Sequence, residues 1–290
     1  MAFTVNTNLM AQQAYLNLNK TSADMASSMA KLSSGLRINT AADDAAGLSI
    51  SQGLTSQVNG FNVASRNAQD GINVVQTADG ALGEVQSILQ RMRDLAVQGA
   101  NDSNNTDSRG AIQKEADALG SELSRISEST NFNGINLLQG GATPGPSQLS
   151  FQVGADGNSA SQVSVTTANL KSDVASVVTL TGGTVVTSAD KFDVSTSAAA
   201  QTTIASIDTA IKAVSSDRSN LGASVNRLTH AMNIANTTAQ NLNAANSHIT
   251  DTDMASEMVN YTKDSILSQA GTAMLAQANQ SGQGILKLLG

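Results

Sequence analysis

From Ile204 to Ile249 the chain steps alternately three and four residues: 204, 207, 211, 214, 218, 221, 225, 228, 232, 235, 239, 242, 246, 249. Twelve of these fourteen positions are Ile, Val, Leu, Met or Ala, and only Arg218 and Asn246 interrupt the stripe. Spacing of this kind, held so long, predicts the seam of a coiled helix. The flanks are Ser, Thr, Asn, Gln and Ala, and the charges in 201–250 are Lys212, Arg218, Arg227, Asp208 and Asp217. A long helix so short of charge is expected to pack on several sides, against its own chain or other copies. At about 1.5 Å rise per residue the segment would span roughly 69 Å, which implies a rod.

The first half repeats the pattern. Leu54, Phe61, Ala68, Val75, Leu82, Leu89 and Ala96 lie seven apart, and Ile112, Ala116, Leu119, Leu123 and Ile126 continue after a break. Near the start, Leu18, Met25 and Leu32 are seven apart, flanked by Ala11, Ala14 and Met29. Near the end, Val259, Ile266 and Ala273 are seven apart, with Leu267, Ala270 and Met274 widening the stripe.

Polar gaps punctuate the helices at Asn39–Asp44, at 101–110 and at Thr250–Asp253. Asp107 or Ser108 is expected to cap the helix after the second gap. The Asp43–Asp44 pair would sit favourably at a helix start. Pro144 and Pro146, the only prolines, mark a boundary. Asn131–Gln139 reads as an irregular exit before it. Beyond it, Leu149, Phe151 and Val153 alternate with polar residues, as do Val163 and Val165, which predicts a hairpin. Val177–Thr181 and Thr184–Thr187 around Gly182-Gly183 predict a second. The fold expected is mainly α: an elongated antiparallel coiled-coil or helical bundle of N- and C-terminal arms, with a small β-hairpin insert. Residues 1–40 carry +2 (Lys20, Lys31, Arg37 against Asp24) and 251–290 carry −2 (Lys263, Lys287 against Asp251, Asp253, Glu257, Asp264). That favours the two ends lying together, weakly.

Composition narrows the chemistry. Aromatics are 2% and Cys is absent, which excludes disulfides and thiolate chemistry. The net charge of −7 lacks the footprint of a nucleic-acid binder. No apolar run is long enough for membrane insertion. The first twenty residues lack the pattern of a cleavable signal, so export would need another route. His230 and His248 are five turns apart and cannot share a metal. No catalytic or phosphate-binding motif occurs, so neither enzyme activity nor a cofactor is expected. Sequons at Asn101, Asn104 and Asn236 match as chance allows in so polar a chain.

Leu32-Ser33-Ser34-Gly35-Leu36-Arg37-Ile38-Asn39-Thr40-Ala41-Ala42-Asp43-Asp44-Ala45-Ala46-Gly47-Leu48 resembles the N-terminal signature of bacterial flagellins. Asn6-Thr7-Asn8, Gln90–Gln98, Thr130–Gly134 and Gln269–Gln280 are also similar to that family. The resemblance implies a subunit that polymerises with itself into the extracellular filament of the bacterial flagellum. Residues 1–44 with 251–290 would form the inner wall, 45–140 with 200–250 the outer wall, and 141–199 a short surface insert. It implies secretion through the flagellar type III export apparatus and an export chaperone holding about 251–290. A filament cap protein and a hook–filament junction protein are implied as further partners. Assembly would fall to the terminal helices, with Leu18, Met25, Leu32, Val259, Ile266, Leu267 and Met274. Recognition by Toll-like receptor 5, where it occurs in the family, would map to Gln90, Arg91, Leu95 and Glu115, although Met92 and Asp94 depart from the commoner Val and Glu; the alternative reading, which can hold alongside it, is that Arg91 and Glu115 serve axial contacts between subunits. Leu286, Leu288 and Leu289 resemble leucines read by intracellular sensors. A hook–filament junction protein, which shares terminal motifs, is the alternative.

Overall fold

A computed structural model describes residues 8–140, 148–181, 184–186 and 191–289, with the backbone alone at 179–181, 184–186 and 281–289. Pro144, Pro146, Gly182, Gly183 and Asn6-Thr7 lie outside the described residues. The helices are α1 (Leu9–Ser34), α2 (Ala45–Gly99), α3 (Thr106–Ser129), α4 (Leu170–Asp173), α5 (Ser197–Thr250) and α6 (Met254–Leu289). Three antiparallel hairpins join β1 (Asn131–Phe132) to β2 (Ile135–Asn136), β3 (Gln148–Gln152) to β4 (Gln162–Thr166), and β5 (Thr179–Thr181) to β6 (Thr184–Val186). The chain is mainly α with a small β insert.

The chain divides into two compact units, 1–57 with 240–290 and 58–239. In the second unit the predicted stripes meet. Leu82, Val85, Leu89 and Met92 of α2 and Ile207, Val214 and Leu228 of α5 are at 0% exposure, joined by Leu123 of α3. All fourteen stripe positions from Ile204 to Ile249 are buried or half-buried along α5. Arg218, which interrupts the stripe, turns its guanidinium to Asp79 (2.8 Å) and Gln86 (2.7 Å) of α2. Arg93 of α2 pairs with Asp208 of α5 at 2.7 Å. Two of the few α5 charges thus tie α5 to α2.

The insert covers this bundle. Leu149 pairs with Val165 and Phe151 with Val163 across the β3–β4 hairpin. Gly71 of α2 makes room for it, since a Cβ there would lie 3.1 Å from both Phe151 and Leu228. Leu137, Leu138, Leu170, Val174 and Phe192 close the remaining faces.

Two expectations change here. Residues 131–136 are not an irregular exit but a tight hairpin, its turn formed by Asn133 and Gly134 with φ of 50° and 79°. Asn and Gly tolerate this left-handed region, as a two-residue turn of this type requires. The cap of α3 is Asn105, whose side chain accepts from the Ser108 amide at 2.8 Å, so neither Asp107 nor Ser108 fills that role.

Candidate assembly surface on the terminal helices

In the first unit α1 and α6 run antiparallel. Asn8 Nδ2 donates to the Ala278 carbonyl at 2.9 Å, and Leu18 lies against Gly271. Leu36 forms an antiparallel bridge with Asp251 at the far end. The Arg37 and Thr252 amides donate to the Thr250 and Gly35 carbonyls at 2.6 and 3.0 Å. Arg37 Nη2 adds a bond to the Ile249 carbonyl at 2.5 Å. Gly35, with φ of 74°, ends α1 in the left-handed conformation that lets the chain turn into this junction.

The signature segment is thereby tied down locally. Asp43 accepts from the Asn39 amide (3.1 Å), the Thr40 amide (2.8 Å) and the Thr40 hydroxyl (3.0 Å). These donors, the Thr40 amide foremost, hold its carboxyl below the usual value. Asp44 alone caps α2, accepting from Gly47 N at 2.9 Å. Of the Asp pair expected at a helix start, Asp43 is therefore a loop staple and Asp44 the cap.

The α1 side of the seam is the expected one. Ala11, Ala14, Leu18, Thr21, Met25, Ser28 and Leu32 follow a 3-4 spacing and are half-buried or buried. The α6 side is not. Its half-buried row is Glu257, Tyr261, Asp264, Ser268, Gly271, Leu275 and Ala278, and none of its described residues is buried. Val259, Ile266 and Met274 stand off this row at 67%, 61% and 65% exposure. Val259, Ile266 and Met274 are thus turned outward, and the row on the α1 side mixes small and polar residues with Tyr261 and Leu275. A Cβ at Gly271 would lie 3.3 Å from Leu18 Cδ1, so that position takes no larger residue cheaply. Among the described residues no ion pair joins α1 to α6, so the opposite net charges of the ends are not realised as a salt bridge.

Leu267 and Met274 line an open groove beside the seam with Met10, Ala14 and Leu18. On α1, Leu9, Leu16, Tyr15 and Met29 are each at least half exposed, a second outward apolar set of which the periodicity pointed to Met29 alone. Its signal was available, since Leu9 and Leu16 are seven apart and lie off the Leu18–Met25–Leu32 row. Leu286, Leu288 and Leu289 lie within α6, and their side chains fall outside the described residues.

The second set of expected site residues splits. Arg91 of α2 holds Glu115 of α3 through Nη2 at 2.6 Å and Nε at 2.9 Å, both side chains about half exposed. Gln90 is exposed beside them. Leu95 is not available as a contact: at 2% exposure it packs in the core of the bundle, because α2 turns that face toward its neighbours.

A mainly helical chain with paired ends and outward apolar stripes defines a subunit built to meet other copies. Residues 5–143 match the bacterial flagellin N-terminal helical region, and 204–289 match the C-terminal helical region. The chain is 43% identical over 285 residues to a flagellin of Halalkalibacterium halodurans, covering 98% of this chain and 99% of that one. It is 40% identical over 291 residues, with the same coverage, to the flagellar filament 33 kDa core protein of Treponema phagedenis. A putative flagellar hook-associated protein from Vibrio parahaemolyticus shares the fold, with a TM-score of 0.57 at 13% identity over 72% of this chain and 100% of that one. The chain belongs to the bacterial flagellin family, and it is a structural subunit of the flagellar filament.

Proposed function

We propose that this subunit polymerises outside the cell through the outward faces of α1 and α6. The observation that carries the reading is the exposure of Val259, Ile266 and Met274 on a helix with no buried described residue. Large apolar side chains aligned on one helix are unfavourable in water and mark an interaction face. Neighbouring copies would cover them, with Leu18, Met25 and Leu32 holding the subunit's own seam.

Within the filament, residues 1–44 with 251–290 line the inner wall, 45–140 with 200–250 form the outer wall, and 141–199 face solvent. The subunit leaves the cell through the flagellar type III export apparatus, with a chaperone covering about 251–290 until then. A filament cap protein and a hook–filament junction protein are its further partners. Gln90, Arg91 and Glu115 offer a polar face for host Toll-like receptor 5. An exposed pair contributes little to stability, so Arg91→Ala should cost at most about 1 kcal/mol. A receptor-reporter assay should therefore lose signal with a fall in melting temperature of no more than about 4 °C, and an unchanged signal would remove Arg91 from the receptor face.

Deletion of 251–290 tests the assembly reading. The truncated chain should stay monomeric by gel filtration and keep its helices in 58–239, while the full chain extends seeds into long filaments in micrographs. Filaments from the truncated chain, or only short rings from the full one, would contradict it.

A further inference from the structure

The insert holds an acid with a buried, unpartnered oxygen. Leu170 and Val174, both at 0% exposure, anchor α4 in the core, and the Leu170 amide donates to the Leu138 carbonyl at 3.0 Å. Just beyond, Ser176 Oγ donates to the Ser206 carbonyl of α5 at 3.4 Å. Between these anchors Asp173 directs Oδ2 into a position shielded from solvent where no donor reaches it. Its Oδ1 accepts from Ser172 Oγ at 3.3 Å.

The charge that acts on Asp173 is that of a second carboxylate, Asp217 of α5. Two ionised carboxylates are both acceptors and repel; with one proton between them they make a charge-assisted hydrogen bond. The neighbouring cations are engaged or turned away. Arg218 is committed to Asp79 and Gln86, and Lys191 Nζ donates to the Ala175 carbonyl at 2.5 Å. Lys171 of α4 and Lys212 of α5 are exposed and make no ion pair with either acid among the described residues. Burial first, and then Asp217, push Asp173 from 3.8 up to about 6.

We propose that Asp173, when protonated, donates to Asp217 and fastens the insert to α5 in mildly acid surroundings, and that loss of its proton loosens the insert as pH approaches neutrality. The sign follows from linkage. Asp173 titrates higher in the folded chain than in the unfolded one, so its contribution is full below about 4 and is lost as pH rises through about 6. Asn at 173 can donate to Asp217 as the protonated acid does, and so mimics the fastened state at every pH.

Amide hydrogen exchange across 170–178 of the full-length monomer, corrected for intrinsic rates, reads this contact directly. In the wild type, protection should fall as pH rises from 5 to 7.5. D173N and D217N should both stay protected at pH 7.5 and melt about 2–4 °C above wild type there, with the difference fading toward pH 4.5. Flat wild-type protection across this range would overturn the proposal, as would variants no more protected than wild type at pH 7.5. Millimolar Ca²⁺ protecting 170–178 in the wild type at pH 7.5 but not in D217N would replace the proton with a cation. Should D173N fail to fold, the wild-type profile and D217N decide the matter alone.

Discussion

Replacing Val259 and Ile266 together by Gln separates the subunit's fold from its assembly. Both side chains are mostly exposed, at 67% and 61%, and neither lies on the half-buried row that faces α1. Full burial of such a side chain stabilises by about 1.5–3 kcal/mol, and roughly two-thirds of that remains to be gained, so about 1–2 kcal/mol each. The pair then contributes about 2–4 kcal/mol per subunit on assembly. At 1.4 kcal/mol per factor of ten, the critical concentration should rise roughly 30- to 700-fold. Gln is a good helix former and the sites are exposed, so monomer stability should change by less than about 0.5 kcal/mol. Sedimentation of seeded assembly reactions over a concentration series gives the first quantity, and circular dichroism melts of the monomer give the second. An unchanged critical concentration with an unchanged monomer would refute the outward-stripe argument.

Leu228→Ala acts on the other unit. Its side chain is at 0% exposure against Phe151 and Gly71, so the cavity should cost about 2–5 kcal/mol, read as a lower urea midpoint at constant slope. Gly35→Ala meets nothing within 4 Å but must hold φ near 74°, so the cost is backbone strain of roughly 1–2 kcal/mol, and Gly35→Asn should recover part of it in thermal melts. Asp43→Ala strips two amides and a hydroxyl of their acceptor. Because the Asp43 carboxyl titrates below its ordinary 3.8, its contribution is present above that value and is lost as pH falls through the lowered one. The variant should melt earlier than wild type at pH 7 and converge with it in strong acid.

The long helices were legible because their signal is repeated over many turns. The Ile204–Ile249 stripe is buried or half-buried at every step, and the helix breaks at 35–44, 100–105 and 251–253 overlap the polar gaps expected at 39–44, 101–110 and 250–253, with α1 ending earlier and α3 starting earlier than those gaps imply. The β3–β4 hairpin was visible in its alternation. Short elements left weaker traces: β1 and β2 have two residues each and α4 has four, too few for any period to develop. The Asn133-Gly134 turn was the one available cue to the first hairpin.

The terminal pair shows a different limit. Periodicity finds an apolar row but does not say which neighbour covers it. In α6 the half-buried row runs through Tyr261, Ser268, Gly271, Leu275 and Ala278, with Gly271 giving Leu18 its room, and Val259, Ile266 and Met274 are left exposed. Motif position likewise carried Arg91 and Glu115 to an exposed pair but placed buried Leu95 beside them, since a motif holds no information on which way its helix is turned.

Electron cryomicroscopy of the assembled filament, at a resolution that shows side chains, tests the central claim. Val259, Ile266 and Met274 should lie against neighbouring copies, while Leu18 stays on Gly271 of its own chain. If those three face solvent and the row from Tyr261 to Ala278 meets the neighbours instead, the account is wrong.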